Sequence, residues 1–159
     1  MTIQTDYGVV EYEAKDLFIF SDGIFGFPKL TKYLLLCLNE GDDSMLLMLS
    51  TEDSKVEFAL INPFLLCPDY SPALSPEELA CLEAKDNSEL SYYSICVVKE
   101  NYLENTVNLK CPLVINPQTR RGIQVILENS SYDYRHEMRS FPAVVDSAYA
   151  EDEGANETC

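Results

Sequence analysis

The feature that most constrains this chain is the apolar period across Asn105 to Gln124, NTVNLKCPLVINPQTRRGIQ. Val107, Leu109, Cys111, Leu113 and Ile115 are apolar at every second position. That is the period of a strand with one face in a core. Asn108, Lys110, Pro112 and then Val114 alternate on the other face. Asn116-Pro117-Gln118-Thr119 is a turn signal, because Pro presets φ and Asn favours turn-opening positions. Arg120 to Glu128 reads as a second strand, with Ile123, Val125 and Leu127 on one face. The stretch predicts a hairpin and holds no catalytic spacing.

The rest of the chain repeats this pattern. Strand-like segments fall at Thr2–Thr5, Val9–Tyr12, Asp16–Phe20, Tyr33–Leu38, Met45–Ser50, Glu57–Ile61 and Tyr92–Lys99. They are short, rich in β-branched or aromatic residues, and separated by Gly, Pro, Asn, Asp and Ser. Glu40 to Ser44 reads as a loop between two apolar strands. Ser75 is a good helix N-cap, followed by Pro76, Glu77 and Glu78, and the helix is expected to reach about Ala84 with Leu79 and Leu82 inward. The predicted class is mostly β: a small antiparallel β-barrel or sandwich with one short helix. A chain of 159 residues fits one domain with a real core. Residues 143–159 are small, acidic and non-periodic, and read as a mobile tail.

Composition narrows the function classes. The chain has 11 basic and 27 acidic residues, a formal charge of −16. Such a surface repels nucleic-acid phosphates and anionic lipid and attracts basic proteins. The excess is spread: residues 1–80 hold 14 acidic and 4 basic groups, and residues 143–159 hold 5 acidic and none basic. No apolar run approaches the roughly 20 residues of a membrane-spanning helix. Asp6, Glu11 and Glu13 stand where a signal peptide would be basic, so the chain is expected to be cytosolic. Of Cys37, Cys67, Cys81, Cys96, Cys111 and Cys159, no two form a CxxC pair, and Cys37, Cys81, Cys96 and Cys111 lie in apolar segments. Reduced thiols acting as small core hydrophobes are expected. His136 is the only histidine, and paired carboxylates such as Asp42/Asp43 and Glu52/Asp53 sit in polar loops. Walker, GxGxxG and HExxH patterns are missing from the sequence. No enzyme activity and no cofactor are expected.

Five segments in order carry a family resemblance. Asn105 to Leu127 resembles the "(T)xNLxAPIVIN…R.GxQVIL" segment of the flagellar assembly factor FliW family. Ile3-Gln4-Thr5 with Gly8 to Tyr12 resembles its opening hairpin. Asp22 to Pro28 is similar to its "GLPGF" turn, with Ile24-Phe25 where the family usually has Leu-Pro. Cys67 to Tyr70 resembles "FPDY", and Tyr132 to His136 resembles its closing "Y…RH". The resemblance spans Met1 to Met138 and implies one FliW-like β domain over residues 1–142. It implies a non-enzymatic regulator with two protein partners. One is CsrA, a small basic repressor of flagellin translation; the other is flagellin, which takes the regulator away from CsrA. A flagellin chaperone and a small-ligand β-barrel are the alternatives, and the chain alone is expected to be monomeric.

Four residues are singled out as partner-binding candidates: Asp69, Tyr70, Asn105 and Asn108. Pro68, Pro72 and Pro76 stiffen the loop around Asp69-Tyr70. That loop either covers the end of the sheet or presents a recognition edge. Asn is unfavourable in strands, so Asn105 and Asn108 either bond within the fold or pair with a partner.

Overall fold

A computed structural model describes residues 1–5, 8–39, 42–128 and 131–141. Residues 142–159 lie outside the described residues, and with them the expected mobile acidic tail, 143–159, and Cys159. Strands β1 (Thr2–Thr5) and β2 (Gly8–Glu11) form a separate antiparallel hairpin. The remaining strands are β3 (Phe18–Ile19), β4 (Lys32–Asn39), β5 (Asp42–Ser50), β6 (Glu57–Ile61), β7 (Ser91–Val97), β8 (Thr106–Val107), β9 (Leu113–Asn116), β10 (Arg121–Gln124) and β11 (His136–Glu137). Asp42 to Ser44, read from sequence as loop, belong to β5.

Strands β4 to β7 form an antiparallel meander. β7 then pairs with β9, β9 with β10, β10 with β3, and β3 with β4. The ring closes into a seven-stranded barrel, which removes most of the open edge a flat sheet would present. The β10–β3 pair is parallel, the one departure from the antiparallel expectation among the described pairings. The Ile19 N–H donates to the Arg120 carbonyl at 2.8 Å along this seam. β8 and β11 extend the sheet beside β7.

The strand predicted across Val107 to Ile115 is broken. Cys96 pairs with Val107, and Tyr93 pairs with Leu113. Over that interval β7 advances three residues while the opposing chain advances six. The three extra residues form a bulge, and an odd excess turns the following side chains onto the other face. Val107 and Leu109 therefore join the same cluster as Val114, whereas Leu113 and Ile115 join the opposite one. Asn108 supports the bulge: its Oδ1 accepts from the Cys111 N–H at 2.9 Å. The second half of the hairpin keeps its expected face, with Ile123, Val125 and Leu127 in one cluster.

Two clusters divide the core. Phe18 and Phe20 at β3, Tyr33 of β4, Leu46 and Met48 of β5, Leu60 of β6, and Leu113 and Ile115 of β9 fill the barrel. Outside it, Ile61, Tyr92, Cys96, Val107, Val114 and Val125 pack under the loop segment 63–84 and under Met138 and Phe141. That segment carries two short helices instead of one. α1 (Pro63–Leu66) was not anticipated; Asn62 caps it by accepting from the Phe64 N–H at 3.0 Å, with Pro63 at the first position. α2 (Pro76–Cys81) has the expected capping box between Ser75 and Glu78. Leu82 is fully buried and Leu79 partly so.

α2 stops before Ala84 because Glu83 takes a left-handed conformation, φ 54°. That conformation costs a residue with a side chain about 1–2 kcal/mol. Glycine removes the cost but gives the unfolded chain freedom worth about 0.4–1 kcal/mol. Glu83→Gly is therefore expected to gain about 0.5 kcal/mol. The check is a higher denaturant midpoint at unchanged m-value.

The cysteines divide. Cys96 and Cys111 are buried as expected, and burial pushes the Cys96 thiol up to about 11. Cys37 and Cys81, also expected inside, are exposed. Cys37 sits where the β4–β5 register slips, and Cys81 lies on the last turn of α2. All five described cysteines are free thiols.

Candidate functional site

The two ends of the bulge locate the four candidate residues. Tyr70 is 3% exposed, and its hydroxyl donates to the Leu109 carbonyl at 2.6 Å. Its ring meets Tyr132 edge-on at 4.8 Å and Phe64 at 5.7 Å. Burial, then the neighbouring Tyr132, pushes its phenol well above the usual range. Tyr70 thus fastens the bulge to the α1 segment. Asp69, one residue earlier, is exposed, and its carbonyl accepts from Ser71 Oγ at 2.9 Å. Asn105 is buried; its Oδ1 accepts from the Lys99 N–H at 2.6 Å, and its carbonyl accepts from the Met138 N–H at 2.8 Å. Tyr70, Asn105 and Asn108 therefore each bond within the fold through a side-chain oxygen, and of the four Asp69 is exposed and Asn108 half-buried.

Asn108 leads to a surface that the sequence reading did not single out. It lines a hollow of about 390 Å³ together with Phe25, Ile95, Val97, Gln124 and Tyr134. Ile95 packs on the interior cluster, so the hollow ends on the barrel core. Phe25 is 52% exposed, Val97 49% and Tyr134 55%. A second, shallower hollow of about 460 Å³ adjoins it, and shares Phe25 and Gln124. Its walls include Glu77, Glu78, Ile126 and Glu128. Gln124 is the common post: its Oε1 accepts from the Phe25 N–H at 2.8 Å, and its Nε2 donates to the Cys111 carbonyl at 3.2 Å. The sequence did carry a signal. Ile95-Cys96-Val97-Val98 is apolar at four consecutive positions at the end of β7, and Val97 and Val98 are exposed.

His136, Glu52 and Asp53 each accept a hydrogen bond from the backbone. The Nε2 of His136 accepts from the Asp133 N–H at 2.8 Å, and its ring lies against Phe141. Glu52 accepts from the N–H groups of Thr31 at 2.7 Å and Lys32 at 3.0 Å. Those bonds, the Thr31 one first, hold its carboxyl below the usual range. Asp53 accepts from the Lys55 N–H at 3.0 Å. Among the described residues, no group of three or more His, Cys, Asp or Glu is placed to hold a metal ion. No helix among them is long and apolar enough to cross a membrane.

The family model for "FliW protein" matches residues 2–138. The chain belongs to the FliW family. A FliW relative from Ruminiclostridium cellulolyticum, named a flagellar assembly factor, is 32% identical over 83% of this chain and 89% of its own length. Another with the same name, from Symbiobacterium thermophilum, is 37% identical over 76% of this chain and 87% of its own. A crystal structure of the flagellar assembly factor FliW superposes with a TM-score of 0.82 at 33% identity, covering 89% of this chain and 98% of that one. Of the Ile24-Phe25 pair at this turn, Ile24 is buried and Phe25 is exposed. Gly23 makes the turn possible: its φ is +70°, and a Cβ there would sit 2.7 Å from Pro28 Cα.

Proposed function

We infer that this protein acts in flagellum assembly as a non-enzymatic, cytoplasmic regulator that binds CsrA and is taken from it by flagellin. The FliW match across residues 2–138 carries the reading. Charge supports it: a chain at −16 is suited to a small basic partner. The interior also supports a binding surface over a ligand barrel. Tyr33, Phe20, Met48, Leu60, Leu113 and Ile115 are all 1% exposed or less and occupy the space a ligand would need. Asp69 and Asn108 contribute directly to the partner surface in this reading, and Tyr70 and Asn105 hold it in shape. The exposed hollow beside Asn108 keeps a flagellin-covering role as the second reading, because a chaperone needs open apolar surface.

Association with purified CsrA tests the reading. Between about 0.01 M and 1 M salt the Debye length shrinks from about 30 Å to about 3 Å. The association rate is expected to fall steeply across that range, with a smaller change in dissociation. Added flagellin is expected to displace CsrA. A salt-independent rate would assign the acidic surface to solubility alone, and capture of flagellin without CsrA would favour the chaperone reading.

A further inference from the structure

We propose that the paired hollows around Phe25 form the docking surface for a basic amphipathic segment of the protein partner. This rests on the reading that CsrA is that partner. Three observations carry it. The first is continuity of exposed apolar surface. Phe25, Val97, Tyr134 and Ile126 are each about half exposed and line two hollows that meet at Gln124. Scattered exposed apolar residues are ordinary, but a contiguous set around a concavity marks an interaction site.

The second observation is rigidity. Phe25 stands at the tip of a turn whose neighbour Ile24 is buried and whose Gly23 is packed against the Phe27–Pro28 backbone. Gln124 fixes the Phe25 backbone and the bulge at Cys111 with one side chain. A rigid aromatic ring presented this way costs little entropy on binding, which is the character of an interface anchor.

The third is the charge layout. Glu77, Glu78 and Glu128 rim the second hollow, and Glu78 is already engaged with Ser75. Glu77 and Glu128 carry no ion pair among the described residues. The opposite end holds Arg135, with Lys110 Nζ over the Tyr134 ring at 5.5 Å. An occupant would therefore lay its basic side chains over the α2 end and its apolar ones between Phe25 and Val97. A segment basic along its whole length would meet Arg135 and be rejected, so the same layout sets direction.

The test uses the full-length protein and purified CsrA, with flagellin measured in parallel. Phe25→Ala is expected to weaken CsrA binding about 30-fold, the hot-spot scale, with the thermal midpoint unchanged because the ring is exposed. Glu77→Lys with Glu128→Lys is expected to slow association about tenfold at low salt and to match the unaltered protein at high salt. Val9→Ala, an exposed apolar site outside both hollows, is expected to change neither. Equal CsrA affinity for the unaltered protein and the Phe25 variant overturns this surface while leaving the CsrA reading intact. Loss of flagellin binding alone assigns the hollows to flagellin and also overturns it. An unaltered protein that binds no CsrA removes both.

Discussion

Tyr70→Ala is expected to lower the unfolding free energy by about 3–5 kcal/mol, the range for truncating a buried aromatic ring. The ring is enclosed by Tyr132 and Phe64, so its loss leaves a cavity that rigid neighbours fill poorly. Its hydroxyl is also the donor to the Leu109 carbonyl, which the substitution leaves unpaired in a buried place. For a chain of this length, such a loss is a fall of roughly 10 °C in thermal midpoint. Tyr70→Phe keeps the ring and isolates the second term. It is expected to cost about 1–3 kcal/mol, the penalty for an unsatisfied buried acceptor. The affinity of the folded fraction for CsrA is expected to change much less than stability, because the side chain holds the bulge and presents no face to solvent. Midpoint and affinity measured on the same sample separate the two. A Tyr70→Ala protein that melts normally and fails to bind would return Tyr70 to the partner surface.

Periodicity made the barrel walls legible and left their junctions hidden. Glu57–Ile61 and Thr2–Thr5 were read to the residue, and the Ser75 cap gave the start of α2. These features are local: an alternating face, or an N-cap with its partner three residues on. The break after Val107 is not local. Val107, Leu109, Cys111, Leu113 and Ile115 look like one face because alternate apolar residues survive on both sides of the bulge. Their division between two clusters is set by pairing with β7, which the sequence of this strand alone does not contain. Asn108 was the visible trace of the break. An Asn in a strand is costly, and here it accepts the Cys111 N–H that the ladder leaves free.

The candidate site was legible for a similar reason only in part. Tyr70 of the proline-rich loop and Asn108 both bond the bulge after Val107, so unusual residue types marked an unusual stretch of backbone. Whether such a residue faces in or out depends on chain segments far away: Leu109 for Tyr70, Lys99 and Met138 for Asn105. Phe25 shows the converse. Its exposure follows from Gln124, 99 positions later, holding the turn from behind. Nothing local to Ile24-Phe25 says which of the two side chains turns outward, so the meaning of the pair required the fold.

Gly122→Ala is expected to cost about 3 kcal/mol, the upper part of the range for overpacking, because it strikes the seam that closes the barrel. A Cβ on Gly122 would lie 2.7 Å from both Cε atoms of Phe20 and closer still to its Cζ. Phe20 has nowhere to retreat: it is fully buried and meets the Tyr33 ring edge-on at 5.5 Å. β3 is two residues long, and its hold on β10 is the single register pair Arg121↔Ile19. Displacing Phe20 therefore pulls on the Ile19 N–H bond to Arg120 and the Phe20 N–H bond to Thr31, both 2.8 Å. Those two amides should lose hydrogen-exchange protection before the β4–β5 pair does, since local opening follows the element with fewest contacts. A drop of roughly 6–12 °C in midpoint is the expected scale. Phe20→Leu in the same chain frees space at the clash, so the double variant should be more stable than Gly122→Ala alone, with a coupling of about 1 kcal/mol or more. If Gly122→Ala melts with the unaltered protein, the close approach of β10 to Phe20 is not what holds the ring shut, and closure would have to come from the β7–β9 side, where three register pairs join the strands.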